Sequence, residues 1–175
     1  MSEGVSGTFE ALSLMSAAVR GDVPPDYSGY RDPWIQHQVC EILIPRMGQR
    51  RDHSLEEAFK IYRWVRDNVE YFDHLPSEQV VQDARRTIEL GTGDCVSQSV
   101  LLATLLAAAS YQVQFAVQMP SIEEGYSHVY VDLIFEDQII SLDPIADGKD
   151  GRNWGEPGWS QGLPDGGFET SYLIF

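Results

Sequence analysis

In the run Gly91-Thr92-Gly93-Asp94-Cys95-Val96-Ser97-Gln98-Ser99-Val100-Leu101-Leu102-Ala103-Thr104-Leu105-Leu106-Ala107-Ala108-Ala109, two glycines bracket a turn and Asp94 is placed to cap a helix. From Val96 onward the residues are apolar on nearly every side. A surface helix carries one apolar stripe, whereas a helix apolar all round is buried on most sides. The run is therefore read as the central helix of the domain.

Downstream, Tyr111, Val113, Phe115, Val117 and Met119 alternate with Gln and Ala, the period of a strand with one wet face. Ser127 to Phe135 repeats it, with Val129, Val131, Leu133 and Phe135 on one face and His128, Tyr130, Asp132 and Ile134 on the other. Gln138 to Leu142 reads as a third strand after a turn at Glu136 and Asp137. Upstream, Ser54 and Glu57 have capping-box spacing, and Ala58, Ile61, Tyr62, Val65 and Val69 form a helical stripe that ends near Tyr71. A further helix is expected from about Val80 to Leu90.

Residues 1–50 read as a helical lead-in. Phe9, Leu12, Met15 and Val19 share one stripe, Gly21, Pro24 and Pro25 break it, and Asp32-Pro33 starts a second helix. That helix has Ile35, Val39 and Ile42 inward, Cys40 as a small buried hydrophobe, and Pro45 as its stop. Helices followed by an antiparallel meander predict an α+β fold in one domain spanning 1–175, with its core over 54–144. The extension 145–175, rich in Gly, Pro and Trp, is expected to wrap over the domain as a loop tied down by Tyr172, Leu173, Ile174 and Phe175.

Twelve Lys and Arg against 27 Asp and Glu give a net charge of -15, which repels phosphate backbones and anionic lipid, so neither nucleic acid nor membrane is an expected partner. The longest apolar stretch, Val100 to Ala109, is about half of what a bilayer requires. The N-terminus shows no basic start followed by a cleavage site, so a cytoplasmic or virion-associated protein is expected rather than one secreted by a signal peptide. Two cysteines, Cys40 and Cys95, are too few for a disulfide framework or a structural zinc site.

Cys95, His128 and Asp143, in that order, could carry chemistry. Cys95 falls in the first turn of the central helix, where unpaired N–H groups and the positive end of the dipole stabilise a thiolate. His128 lies on a strand expected beside that helix, and an imidazole in reach could take the thiol proton and return it to a leaving amine. Asp143 ends the next strand, placed to bind the other ring nitrogen and set its tautomer. Singly, each has a plain alternative: a packed cysteine, a half-exposed histidine, an Asp-Pro turn.

From about Ser54 to Pro144 the chain resembles the transglutaminase-like superfamily, within the papain-like cysteine enzymes. The resemblance rests on five segments in order: Ile61, Tyr62, Trp64, Val65 and Arg66 leading to Tyr71; Gly93, Asp94 and Cys95; Leu101, Leu102, Leu105 and Leu106; Ser127, His128 and Val129; and Leu142, Asp143 and Pro144. It implies attack of a cysteine thiolate on an amide carbonyl of a protein or peptide, by hydrolysis or transamidation. Thr8 to Arg20 and the helix around Trp34 to Ile44 further resemble members encoded by bacteriophages and prophages, which makes virion proteins candidate partners. The chain departs from many relatives in having Val96, Ser97 and Gln98 after the cysteine and Ser110 where glycine is frequent, and its aromatic two residues past the histidine is Tyr130.

The oxyanion of acyl transfer needs donors. The Cys95 backbone N–H is the first; Tyr71 and Gln98 are candidates for the second, with core packing as the plainer reading of Tyr71. Trp154 and Trp159 are candidates for lining a substrate groove or meeting a partner, against the plainer reading that they pin the extension to the core. Asp143, Asp147 and Asp150 lack calcium-loop spacing, no paired-histidine zinc motif occurs, and Gly91-Thr92-Gly93 lacks a phosphate-loop lysine, so no metal or cofactor is expected. A virion structural or assembly protein with the same fold and little turnover is the competing reading.

Overall fold

The computed structural model describes residues 3–22, 28–43, 51–72, 81–119, 128–145 and 168–173. In chain order its elements are α1 (Glu3–Arg20), α2 (Pro33–Leu43), α3 (Leu55–Asn68), β1 (Glu70–Tyr71), α4 (Ala84–Leu90), β2 (Thr92–Gly93), α5 (Cys95–Ala108), β3 (Gln112–Met119), β4 (His128–Phe135), β5 (Gln138–Leu142) and β6 (Phe168–Leu173).

Every residue of α5 from Val96 to Ala108 is buried, as an all-apolar helix requires. It lies between two layers, packed on β3 and β4 on one side and on α1, α2, α3 and α4 on the others. The sheet is antiparallel in the order β5-β4-β3-β6. This is the expected α+β fold.

The expected meander is present, joined between β4 and β5 by Glu136 and Asp137 at φ 48° and 63°. Two expectations about the sheet change. The terminal segment is a strand: β6 pairs with β3 from Met119↔Phe168 to Gln114↔Leu173, covering an edge whose N–H and C=O groups would otherwise be open. The outer face of β3 is also not wet, because Gln114, Ala116 and Gln118 are buried and only Gln112 is exposed. Buried polar groups there satisfy one another: Asp132 accepts from Gln114 Nε2 at 3.2 Å and from Ser141 Oγ at 2.8 Å.

Ser54 caps α3, and Ala58, Ile61, Tyr62, Val65 and Val69 are buried as expected. Glu57 reaches past the cap to accept from the Asp52 and His53 N–H groups, both at 3.2 Å. In α2, Asp32 Oδ1 accepts the Trp34 N–H at 2.7 Å, completing the expected cap. The helix turns Ile35, Val39 and Leu43 inward, a stripe of every fourth residue. Cys40, one step of about 100° beyond Val39, is consequently exposed, and Ile42 only half-buried. In α1 the inward stripe is Thr8, Leu12, Met15 and Val19, so Phe9, one step from Thr8, is 48% exposed. The helix expected from Val80 begins at Ala84, capped by Asp83, whose Oδ2 also accepts the buried Ser28 N–H at 2.9 Å. That bond ties the lead-in to the rest.

Candidate functional site

Cys95 is the first residue of α5. Its position is set by the residues before it: Asp94 Oδ1 accepts both the Ser97 N–H at 2.8 Å and the Ser97 hydroxyl at 2.7 Å. A Cβ on Gly93 would come within 2.8 Å of Ser97 Cβ, so only glycine lets the turn lie this close to the helix. Gly91, at φ 66°, ends α4 in the left-handed region. Between these glycines β2 runs parallel to β1, a pairing that sequence did not reveal. The Gly93 carbonyl accepts the Phe72 N–H and Gln98 Nε2, each at 3.1 Å. The turn is held from both sides, and the Cys95 side chain is half-buried.

His128 opens β4. Next to it, Ser99 of α5 donates its hydroxyl to the Val129 carbonyl at 3.1 Å, which fixes the helix against this strand. His128 Nε2 donates to Asp143 Oδ2 at 2.6 Å, and the Cys95 side chain hydrogen-bonds the same imidazole. With Nε2 engaged, Nδ1 is the nitrogen left for the sulfur. Asp143, just past β5, is itself held twice more: Oδ1 accepts the Ile145 N–H at 3.1 Å, and its backbone carbonyl accepts the Tyr62 hydroxyl at 3.1 Å. The ring of Tyr130 stacks beside that of His128, with centroids 6.0 Å apart.

Burial alone would push the His128 imidazole down from its ordinary 6.5, yet the hydrogen bonds to Asp143 and Cys95 and their negative charge outweigh it and carry it up to about 10. The arrangement favours an imidazolium hydrogen-bonded to the Asp143 carboxylate. Chemically, that sets a thiol beside an imidazole able to take up and return a proton.

The structure thus brings Cys95, His128 and Asp143 together. Tyr71 is 37% exposed rather than packed in the core, because its two-residue strand lies at the surface in front of α5. Gln98 is buried, with Nε2 donating to the Gly93 carbonyl and Oε1 without a hydrogen-bond partner, so its side chain braces the turn that precedes Cys95. Trp154, Trp159, Asp147, Asp150 and Ser127 lie outside the described residues. Sequence reasoning missed Tyr62 and Ser99 as locks. Their only signals were a hydroxyl in an otherwise hydrocarbon stripe and a serine in an apolar helix.

Among the described residues, no three His, Cys, Asp or Glu side chains group as metal ligands, and no helix is long and apolar enough to cross a membrane. Residues 43–144, more than half of the chain, match the family described as the transglutaminase-like superfamily. No curated protein matches. Among solved structures, a candidate protease from Parabacteroides distasonis ATCC 8503 is similar at a TM-score of 0.57 and 12% identity, over 76% of this chain and 26% of that one. A candidate cysteine protease from Cytophaga hutchinsonii is similar at 0.53 and 14% identity, over 94% of this chain and 56% of that one. This chain therefore spans about a quarter of the first and a little over half of the second. At such identities the likeness concerns the fold.

Proposed function

Because the chain belongs to the transglutaminase-like superfamily, we propose that it is a cysteine-dependent acyl-transfer enzyme acting on protein or peptide amides, with Cys95 as nucleophile, His128 as acid and base, and Asp143 as its orienter. The observation that carries this reading is the His128 imidazole, bonded to Asp143 at 2.6 Å and to the Cys95 side chain. In the reacting pair the proton sits on His128 and the sulfur is a thiolate. The thiolate attacks the amide carbon and forms a C–S bond, while the developing oxyanion meets the Cys95 backbone N–H at the start of α5. The C–N bond then breaks, and the imidazolium gives its proton to the departing amine. Neutral His128 next takes a proton from water or an amine as its oxygen or nitrogen bonds the thioester carbon; the C–S bond then breaks, releasing a free acid or a new amide and restoring the thiolate beside the protonated His128.

The lead-in's resemblance to phage-encoded members extends the proposal to a phage-encoded enzyme that meets its substrate in the host cytoplasm or on the virion. The experiment is timed alkylation with iodoacetamide near neutral pH, followed by mass spectrometry of each cysteine. Cys95 should react well ahead of Cys40, and His128→Ala should slow Cys95 by about 10²-fold. Slow, equal labelling of both cysteines, indifferent to His128, would instead support an assembly protein without turnover.

A further inference from the structure

Asp132 is 2% exposed, and its carboxyl group bonds two neutral side chains, Gln114 of β3 and Ser141 of β5. Burying a carboxyl group is weak evidence for stability, and the best-attested use of such a buried polar group is to fix a register. Here the register carries Asp143. Asp132 pairs with Ser141 and Val131 with Leu142, so one rung further sets Asp143 level with Tyr130. His128 lies two residues along the same face of β4, a diagonal step that an imidazole and a carboxylate together span at 2.6 Å.

Apolar patterning does not by itself hold β5 in that place. A one-residue slip would turn the buried Ile140 and Leu142 out of the core, but a two-residue slip keeps both inward. Slipped one way, Asp143 would stand opposite Asp132 and out of reach of His128. Slipped the other way, Ile139 would replace Ser141 beside the Asp132 carboxyl group, and Asp143 would lie directly across from His128. The turn between β4 and β5 is a weak guide as well, because Glu136 and Asp137 both hold positive φ, 48° and 63°, where a two-residue turn favours Asn and Gly.

We propose that Asp132 is a positioning residue: by taking Ser141 as its partner on β5, it sets the register that places Asp143 one diagonal step from His128. This rests on the acyl-transfer reading and adds to it a residue that acts through the sheet rather than on the substrate.

The test follows Cys95 alkylation by iodoacetamide from about pH 6 to about pH 11, with mass spectrometry of each cysteine. An imidazolium that loses its carboxylate leaves less thiolate near neutral pH, whereas at high pH the thiol ionises unaided and the rates converge. Ser141→Ala should lower the neutral-pH rate by at least about 10-fold, since a misplacement of roughly 1 Å can cost about 10²-fold. Ser141→Thr, which keeps the hydroxyl, should retain the wild-type profile, and so should Asp132→Asn, whose side-chain oxygen still accepts from residue 141. Glu136→Asn with Asp137→Gly repairs the register from the turn, and should bring the Ser141→Ala rate back to within about threefold of wild type. Tyr111→Phe removes a 2.6 Å bond to the Ser54 carbonyl at the other end of α5, so it controls for lost stability and should leave the profile unchanged.

A Ser141→Ala profile equal to wild type overturns the proposal. So does a slowed one that the turn substitutions fail to repair, or that Ser141→Thr or Tyr111→Phe reproduces, because each assigns Ser141 and Asp132 to stability alone. Histidine-dependent alkylation in the wild type alongside an unaffected Ser141→Ala would sink the register role and leave the acyl-transfer reading standing, whereas wild-type alkylation indifferent to His128→Ala would remove both.

Discussion

His128 binds its proton more tightly in the folded chain than an ordinary histidine does, at about 10 against 6.5. A group raised on folding stabilises the fold fully below its unfolded value and loses that contribution as pH rises to its folded one. Urea titrations at pH 6.5 and pH 10 should therefore show wild type losing more stability across this window than His128→Ala; equal losses would mean that the imidazolium is not held by Asp143 and Cys95. Tyr62 provides a second test at this scale. Its hydroxyl is the donor to the buried Asp143 carbonyl, so Tyr62→Phe should cost about 1–2 kcal/mol in urea unfolding and slow Cys95 alkylation as Asp143 loosens. The residue types at the site were legible because thiol, imidazole and carboxylate have few reasons to recur in this order. Tyr62 and Ser99 were not, because a buried hydroxyl looks like core until its partner, far away in sequence, is seen.

At the scale of elements, the end of α5 bears on stability. The Tyr111 N–H bonds the Leu106 carbonyl and the Ser110 N–H bonds that of Ala107, both at 2.9 Å, which is a Schellman closure with Ser110 at φ 70°. Glycine adopts this conformation without strain, so Ser110→Gly should raise stability by about 0.5–1 kcal/mol, read as a higher urea midpoint with unchanged slope. Gly93→Ala should do the reverse, costing about 1–3 kcal/mol because Ser97 must move, and should displace Cys95 enough to lower its alkylation rate. The long elements could be read because period and cap are local: α3 and α5 follow their capping residues, and β3, β4 and β5 follow their alternation. The two-residue strands β1 and β2 have no period to read. In α1, Thr8 takes the inward place that hydrophobicity alone would have given to Phe9, since neighbours decide which stripe is covered.

For the whole molecule, the sheet depends on a strand from the far end of the chain. β6 supplies six register pairs to β3, so removing residues 168–175 should cost on the order of 3 kcal/mol and leave an edge prone to pairing between chains. Urea unfolding and sedimentation velocity would measure the two effects, and an unchanged midpoint with a monomeric profile would mean the strand is dispensable. Sequence could not show this closure, because an apolar tail reads the same whether it pairs or merely packs.

The three side chains of the site come from a helix start, a strand start and a strand end, and only the docking of α5 against β4, together with the pairing of β5 to β4, joins them. A chain still emerging from the ribosome carries an ordinary thiol. If Cys95 is the nucleophile proposed above, its imidazole partner is supplied only by that docking, and thiol chemistry becomes a direct gauge of how much material is correctly built.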